Sequence, residues 1–323
     1  MLRCLLEGLR GLHGWRSSIP VASKAGISQA RTRRGAAPLE CLFEPGAVPP
    51  ADRQTPGAWY RGRRLVSLDG TTVAIADVPD DVAACGRRGF PQLRLVALTE
   101  TGPRAMIAVA AADSATGETT LARRVIGALS ADMLCLADRG FGGFAPWSQA
   151  CATGAALLWR VRKNQACPQR LPDGSYLGKL YASSKQRRRD DGLAVRVIEY
   201  RLDDDVPGAE PLYRLITTLS DPATAPAAAP AALCHERWES GTAFAELKAS
   251  LPGGRLLLRS KTPELVRQEF YGLLLAHCAI RRLMHQASAG VSWDPDHLSF
   301  IRTVRIVRRN LPFHAAFSPA AAP

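Results

Sequence analysis

The chain has 323 residues, with 42 Lys and Arg against 29 Asp and Glu, a formal net charge of +13 and an isoelectric point near 9.8. Hydrophobic residues at 46% and charged residues at 22% exclude a chain disordered throughout, and at about 100–200 residues per domain the length suits roughly two domains, or one with a large insertion. The longest nearly apolar run, Phe270 to Ile280, is too short to span a bilayer, and the charge asks for a polyanionic partner, with nucleic acid first.

Six of the basic residues are Lys and 36 are Arg. The planar guanidinium suits phosphate, but an Arg- and Ala-rich chain also follows from a GC-rich genome, so the bias decides nothing. Eight cysteines, at positions 4, 41, 85, 135, 151, 167, 234 and 278, form no CxxC pair. This pattern supports neither a disulfide scaffold nor a zinc finger, and suits reduced thiols.

Residues 1–60 read as a helical N-terminal region. MLRCLLEGLRGLHGW is amphipathic and reads as a surface helix, since Glu7 interrupts any signal-peptide core. Gly26–Phe43 mixes basic and apolar residues at helical spacing, and a Pro-rich link runs from Gly46 to Gly57. Strand patterns then begin. Arg63–Asp77, Pro91–Thr101 and Pro103–Asp113 read as strands, the last two joined by a tight Glu100-Thr101-Gly102 turn. Gly117–Leu129 has helical period, Asp132–Asp138 is a continuous apolar run of the buried-strand kind, Phe144–Gly154 is helical and Ala156–Asn164 a strand. This alternation makes 61–164 an α/β unit. Residues 165–220 hold β-like segments broken by turns and by the polar cluster Ser183–Asp191, and read as a β-rich insertion. The run RRRDD within that cluster reads as a solvated loop, with DNA contact the lesser reading. From 221 to 323 the chain passes a low-complexity Ala/Pro stretch, Asp221–Leu233, and becomes helical.

Chemistry concentrates at two aspartates and one helix. Singly, Asp69 before Gly70 reads as a hairpin turn, and Asp138 as the polar residue where a buried strand surfaces. Together they read differently, because open α/β sheets place their sites at the carboxyl ends of strands. Two carboxylates there can share hard divalent cations, and two-metal phosphoryl transfer holds such ions about 3.5–4 Å apart. On the helix near 240, at about 100° per residue, Arg237, Gly241, Phe244 and Lys248 share one narrow face. Among the histidines none shows ligand spacing, and His277 reads as packed within an apolar helix. Trp59, Trp147 and Trp159 read as core, and no GxxxxGKS phosphate loop occurs.

LDGTT around Asp69, LADRGFGGF around Asp138, RWxxxxAFxELK from Arg237 and the run Gly253–Leu283 resemble the DDE transposases of the insertion-sequence-four group, from about Ala37 to Arg309. The resemblance implies a ribonuclease-H-like core with a β-rich insertion. It also implies metal-dependent phosphodiester hydrolysis and strand transfer at element ends, with two Mg²⁺ (or Mn²⁺) ions. Asp69 and Asp138 match the first two metal-binding, catalytic carboxylates. Arg237 and Lys248 match residues that contact DNA ends, and Trp238 belongs to the same motif. The implied partners are terminal inverted repeats and target DNA, bound by a homodimer and not at a membrane, in the cytoplasm and nucleoid of a bacterium. The motif also requires Tyr at 234 and the catalytic Glu at 241, where this chain has Cys234 and Gly241. Glu239 lies about 200° and Glu246 about 180° around the helix from Arg237, so neither substitutes. Residues 1–60 are shorter than the family's helical leader. The expectation is a decayed copy, either a transposase lacking one carboxylate or a DNA-binding remnant.

Overall fold

The face that each residue of a strand presents decides the layering here, because successive side chains point to opposite sides of a sheet. A computed structural model describes residues 23–76, 91–161, 169–202, 210–234, 238–289 and 293–310. The expected helix at MLRCLLEGLRGLHGW lies outside them. Two helices come first, α1 (Lys24–Arg34) and α2 (Ala37–Gly46). They are separated by Gly35, whose φ of +64° breaks the single expected helical stretch. The backbone N–H of Ala36 donates to Glu264 Oε1 at 2.7 Å, which ties the break to a helix more than two hundred residues later.

The central strands are β1 (Trp59–Tyr60), β2 (Arg63–Ile75), β3 (Gln92–Glu100) and β4 (Ala105–Asp113). Then come α3 (Glu118–Val125), β5 (Met133–Ala137), α4 (Phe144–Ala152) and β6 (Ala156–Arg160). Strands β2, β3 and β4 form an antiparallel meander, β5 pairs parallel to β2, and β6 pairs parallel to β5. A meander whose first strand is followed across the sheet by two parallel strands, joined through helices, is the ribonuclease-H-like arrangement.

On one face, Val66 and Leu68 of β2, Val96 and Leu98 of β3, Cys135 and Ala137 of β5, and Leu157 and Trp159 of β6 pack under α3 and α4 in one apolar cluster. Alternate residues of the same strands pack on the other face. There Val73, Leu93 and Leu95 meet the C-terminal helices, while Leu65, Leu134 and Leu158 form a smaller cluster.

The described residues within 165–220 are rich in strand. They supply β7 (Gln169–Arg170), β8 (Tyr176–Leu180), the short helix α5 (Ser184–Arg188), β9 (Leu193–Tyr200) and β10 (Tyr213–Thr217). Strand β10 pairs antiparallel with β6, so the sheet continues in the order β4-β3-β2-β5-β6-β10-β9-β8-β7. Of the run Arg187–Asp191, read from sequence as a solvated loop, Arg187 and Arg188 are helical. After α6 (Ala228–Leu233) come α7 (Trp238–Ala245), a π-helical turn over Glu246–Ser250, and β11 (Leu257–Leu258) beside β2. The long α8 (Pro263–Ala289) and α9 (Phe300–Asn310) end the described chain. No helix of the described residues is long and apolar enough to cross a membrane.

The two largest fully buried side chains, Trp147 and Trp159, meet edge to face at 5.2 Å between α4 and β6. Trp159→Ala is expected to lower unfolding free energy by about 3–5 kcal/mol. Urea denaturation checks this, as a fall in midpoint at an unchanged slope.

Candidate active site

Asp69 does not sit in a hairpin turn. It lies in the middle of β2, at the point where that strand loses one of its two partners. Parallel pairing with β5 runs from Arg64–Met133 to Leu68–Ala137, whereas antiparallel pairing with β3 continues to Ala74. The residues directly after the last parallel rung are Asp69 and Asp138, on strands about 4.8 Å apart. Since Leu68 and Ala137 both face the α3/α4 cluster, alternation turns Asp69 and Asp138 to the opposite face, where α7 lies. Asp69 Oδ1 accepts from the backbone N–H of Gly70 at 2.9 Å, and Asp138 caps the following turn by accepting from the N–H of Arg139. Both aspartates are partly exposed.

Helix α7 crosses this face of β2. The Ser240 hydroxyl donates to Asp69 Oδ2 at 3.1 Å and lies 3.2 Å from the Ser67 hydroxyl. Two turns on, Lys248 Nζ donates to Thr71 Oγ1 at 2.6 Å, although the helix has loosened into π geometry there. Ser67, Asp69, Thr71 and Val73 are thus one stripe of β2, covered in turn by Ser240, Lys248 and the apolar group of Ala243, Phe244 and Leu247. Arg237 lies outside the described residues, as does the side chain of Trp238. Cys234 is buried in the smaller apolar cluster.

Gly241 is exposed, and a Cβ built on it would meet no heavy atom within 4 Å. Room for a larger side chain therefore exists at this position. The other acids of this helix are committed to the fold. Glu239 is buried in a bidentate pair with Arg104, whose Nη2 also lies 2.8 Å from Asp296 Oδ2. Glu246 takes two bonds from Arg281 and faces His277 Nε2 at 3.2 Å. Burial alone would raise the Glu246 carboxyl, but the hydrogen bond to His277 and the Arg281 charge outweigh it and hold Glu246 below the usual range. Asp296 responds the other way: burial pushes it up to about 6, beyond what the Arg104 charge can offset, with Glu239 adding repulsion.

Sequence reasoning missed three participants. Ser240 and Thr71 are uncharged and carry no motif signal of their own. Glu118, in the first turn of α3, lies on the far side of the sheet: its Oε1 would be 3.2 Å from a Cβ on Gly70, and its Oε2 3.9 Å from one on Gly140. Each glycine thus leaves space for that carboxylate beside an aspartate of the pair. Among the described residues, however, no three His, Cys, Asp or Glu side chains converge as an ion-binding group. Two neighbouring carboxylates and a serine hydroxyl are oxygen donors of the kind that hard divalent cations take. They do not fit the two-ion centre that requires a third carboxylate.

An antiparallel meander continued by parallel strands, with Asp69 and Asp138 directly after the last shared rung and α7 crossing the face of Asp69, is the arrangement of a ribonuclease-H-like core. Residues 60–279 match the family model described as the transposase DDE domain, and the chain belongs to that family. The transposase InsG of insertion sequence element IS4 from Escherichia coli K12 is 28% identical over 319 residues, which are 94% of this chain and 71% of that protein. The putative transposase InsZ of the same strain is 28% identical over 128 residues, 37% of this chain and 42% of its own length. A piggyBac transposase, solved by cryo-electron microscopy in a synaptic complex with hairpin DNA, superimposes with a TM-score of 0.48 at 11% identity, over 82% of this chain and 55% of that one.

The raised carboxyl of Asp296 gives a signed pH dependence. A group with a folded-state pKa near 6, against 3.8 when unfolded, contributes stability that is complete below pH 3.8 and lost as pH rises through about 6. The stability of the unaltered chain relative to Asp296→Asn is therefore expected to fall between about pH 4 and pH 6. Urea unfolding of both proteins across that window checks it, and a relative rise would show that the Arg104 pairing dominates instead.

Proposed function

We propose that the chain is a DNA transposase of an insertion sequence by its site architecture, and that this copy holds DNA ends without cutting them efficiently. The reaction that the architecture serves is metal-dependent phosphodiester hydrolysis at the element's terminal inverted repeats, followed by strand transfer to target DNA. In this reading Asp69 and Asp138 are the metal-binding carboxylates. Lys248, together with Arg237 and Trp238, meets the DNA end, and a second copy of the chain completes the assembly on DNA. The domain roles follow: 61–164 and 221–323 form the catalytic core, 165–220 the insertion and 1–60 the leading region. A DNA-bound protein of this kind works in the cytoplasm, at the nucleoid.

One observation carries the reading. Asp69 and Asp138 leave the same parallel rung toward α7, where Ser240 touches Asp69 while the adjacent Gly241 projects only into open space. The surroundings of a three-carboxylate site are in place, with a glycine at the third position. Bound Mg²⁺ or Mn²⁺ would activate water and stabilise the leaving oxygen. The chain's own contribution is to fix two carboxylates side by side, orient Asp69 through Ser240, and set one ammonium group near the phosphates.

Gly241→Glu is expected to raise Mn²⁺-dependent nicking of a terminal-repeat duplex by on the order of 10³-fold over the unaltered chain, a difference of about 4 kcal/mol in activation free energy. Gly241→Ala separates chemistry from helix propensity. It should gain roughly 0.5–1 kcal/mol of stability and leave nicking at background. Efficient nicking by the unaltered chain, abolished by Asp69→Ala, would overturn the proposal.

A further inference from the structure

The loop that follows Asp138 opens onto a cleft of about 650 Å³ whose opposite wall is the β-rich segment. Arg139 and Gly140 form the near rim, and Lys179, Tyr181, Ser183 and Arg187 the far one. This wall is built rather than loose. Ser183 caps α5 by accepting from the N–H of Gln186 at 3.3 Å, and Gln186 Oε1 accepts in return from the N–H of Ala182 at 2.9 Å. The exchange stiffens both ends of the turn in the manner of a capping box. Asp190, in the left-handed region at φ +53°, receives Lys179 Nζ at 2.5 Å and the Tyr181 hydroxyl at 2.7 Å. These bonds fold the following acidic residue back onto β8, while Lys185, Arg187, Arg188 and Arg189 remain exposed. From 179 to 191 there are five cations against two carboxylates, on a helix with no buried residue and no packing duty.

We propose that this cleft and the exposed face of α5 are a second DNA-binding surface, which grips the phosphodiester backbone as it leaves the Asp69/Asp138 site. The inference rests on the DNA-binding reading above and extends it to a part of the chain outside the motif residues. The Arg187 guanidinium at the cleft and the exposed Lys185, Arg188 and Arg189 beside it suit phosphate oxygens. Continuity with the Asp138 loop means that a strand positioned at the aspartates meets this wall next. Interactions of this type are independent of sequence and carry counterion release, so they appear in the salt dependence of binding.

The test is fluorescence anisotropy of the full chain on a labelled duplex of arbitrary sequence, across roughly 50–200 mM salt. The triple variant Lys185→Ala, Arg187→Ala, Arg188→Ala is expected to lower the slope of log K against log salt by ~0.9 for each phosphate that the chain no longer neutralises, about 2 to 3 in all. It should also weaken binding by at least ~10-fold at the lower salt. Arg187→Lys with Arg188→Lys keeps the charge and is expected to keep the slope. The control Arg302→Ala, Arg305→Ala, Arg309→Ala removes the same charge from exposed positions of α9, and is expected to change the slope by less than half as much. An unchanged slope in the α5 variant overturns the proposal, and so does an equal loss in the control, which would reflect net charge alone. Tight, salt-sensitive binding of an acidic polypeptide that the α5 variant loses equally would replace DNA by polyanions in general. If the unaltered chain shows no salt-sensitive binding, the DNA reading itself falls, and this inference with it.

Discussion

Helix α7 stays where it is because of buried charge. Arg104, the last residue of the β3–β4 turn, grips Glu239 and Asp296, while Arg281 of α8 grips Glu246. The two glutamates are seven residues apart, so they fall within about 20° of each other around an α-helix and face the same interior. An isolated helix of eight residues is marginal in water, and this one carries Ser240 and Gly241 at its centre. Its position therefore comes from tertiary contacts, namely the apolar stripe of Ala243, Phe244 and Leu247 and the charges beside it. Buried ion pairs add little net stability compared with apolar residues of equal volume. Removing one partner is costly, however, because the other charge is left stranded. The network therefore fixes the rotation of the helix about its axis.

That rotation decides what reaches the aspartates. With Glu239 and Glu246 turned inward, Gly241 lies about 200° from Glu239, and the helix shows Ser240 to Asp69 and Lys248 to Thr71. Both acids of α7 and its π-helical turn are thus used to hold the helix, and neither is available to the site. The same geometry shows why the inserted strands matter to the site. Because β10 pairs with β6 and β9 with β10, the insertion extends the catalytic sheet and stands at a fixed angle beside the Asp138 loop. The basic turn of α5 is therefore held rigidly relative to the paired carboxylates, although both belong to one broad sheet of eleven strands.

Much of this was legible in the sequence, and the reasons are physical. The strands of 61–164 could be read because both faces of the sheet are buried, so their residues form long apolar runs. Asp69 and Asp138 stood out because a carboxylate at the end of such a run is costly without a purpose. The angular separation of Glu239 and Glu246 from Arg237 followed from helix geometry alone, and the structure places both acids in the interior. The rest depended on partners distant in sequence. Nothing around Asp69-Gly70 announces that β2 continues on β3 after β5 has ended, so the dipeptide resembles a turn. Period-two patterns in 169–217 identify strands but not their neighbours, so the pairing of β10 with β6 could not be read from them. Ser240 is invisible for the same reason, since a serine gains meaning only from the carboxylate opposite it. The π-helical turn at Glu246–Ser250 also escapes a wheel drawn at 100° per residue.

The separation between charges that hold the fold and charges that would do chemistry explains how the core can be intact around an incomplete site. Position 241 is exposed, touches nothing beyond its own helix and has no part in the Arg104 and Arg281 networks. In the proposed reading a carboxylate there would join two others, and like charges brought together at a site oppose folding until a cation joins them. Replacing such a residue by glycine costs helix propensity of roughly 1 kcal/mol but relieves that repulsion, so the net effect on the fold is small. Loss of Glu239 or Glu246 would instead strand a buried arginine, at several times that cost. Among the positions of this helix, the one that folding constrains least is the one where the proposed reading needs a third carboxylate, and this chain carries glycine there.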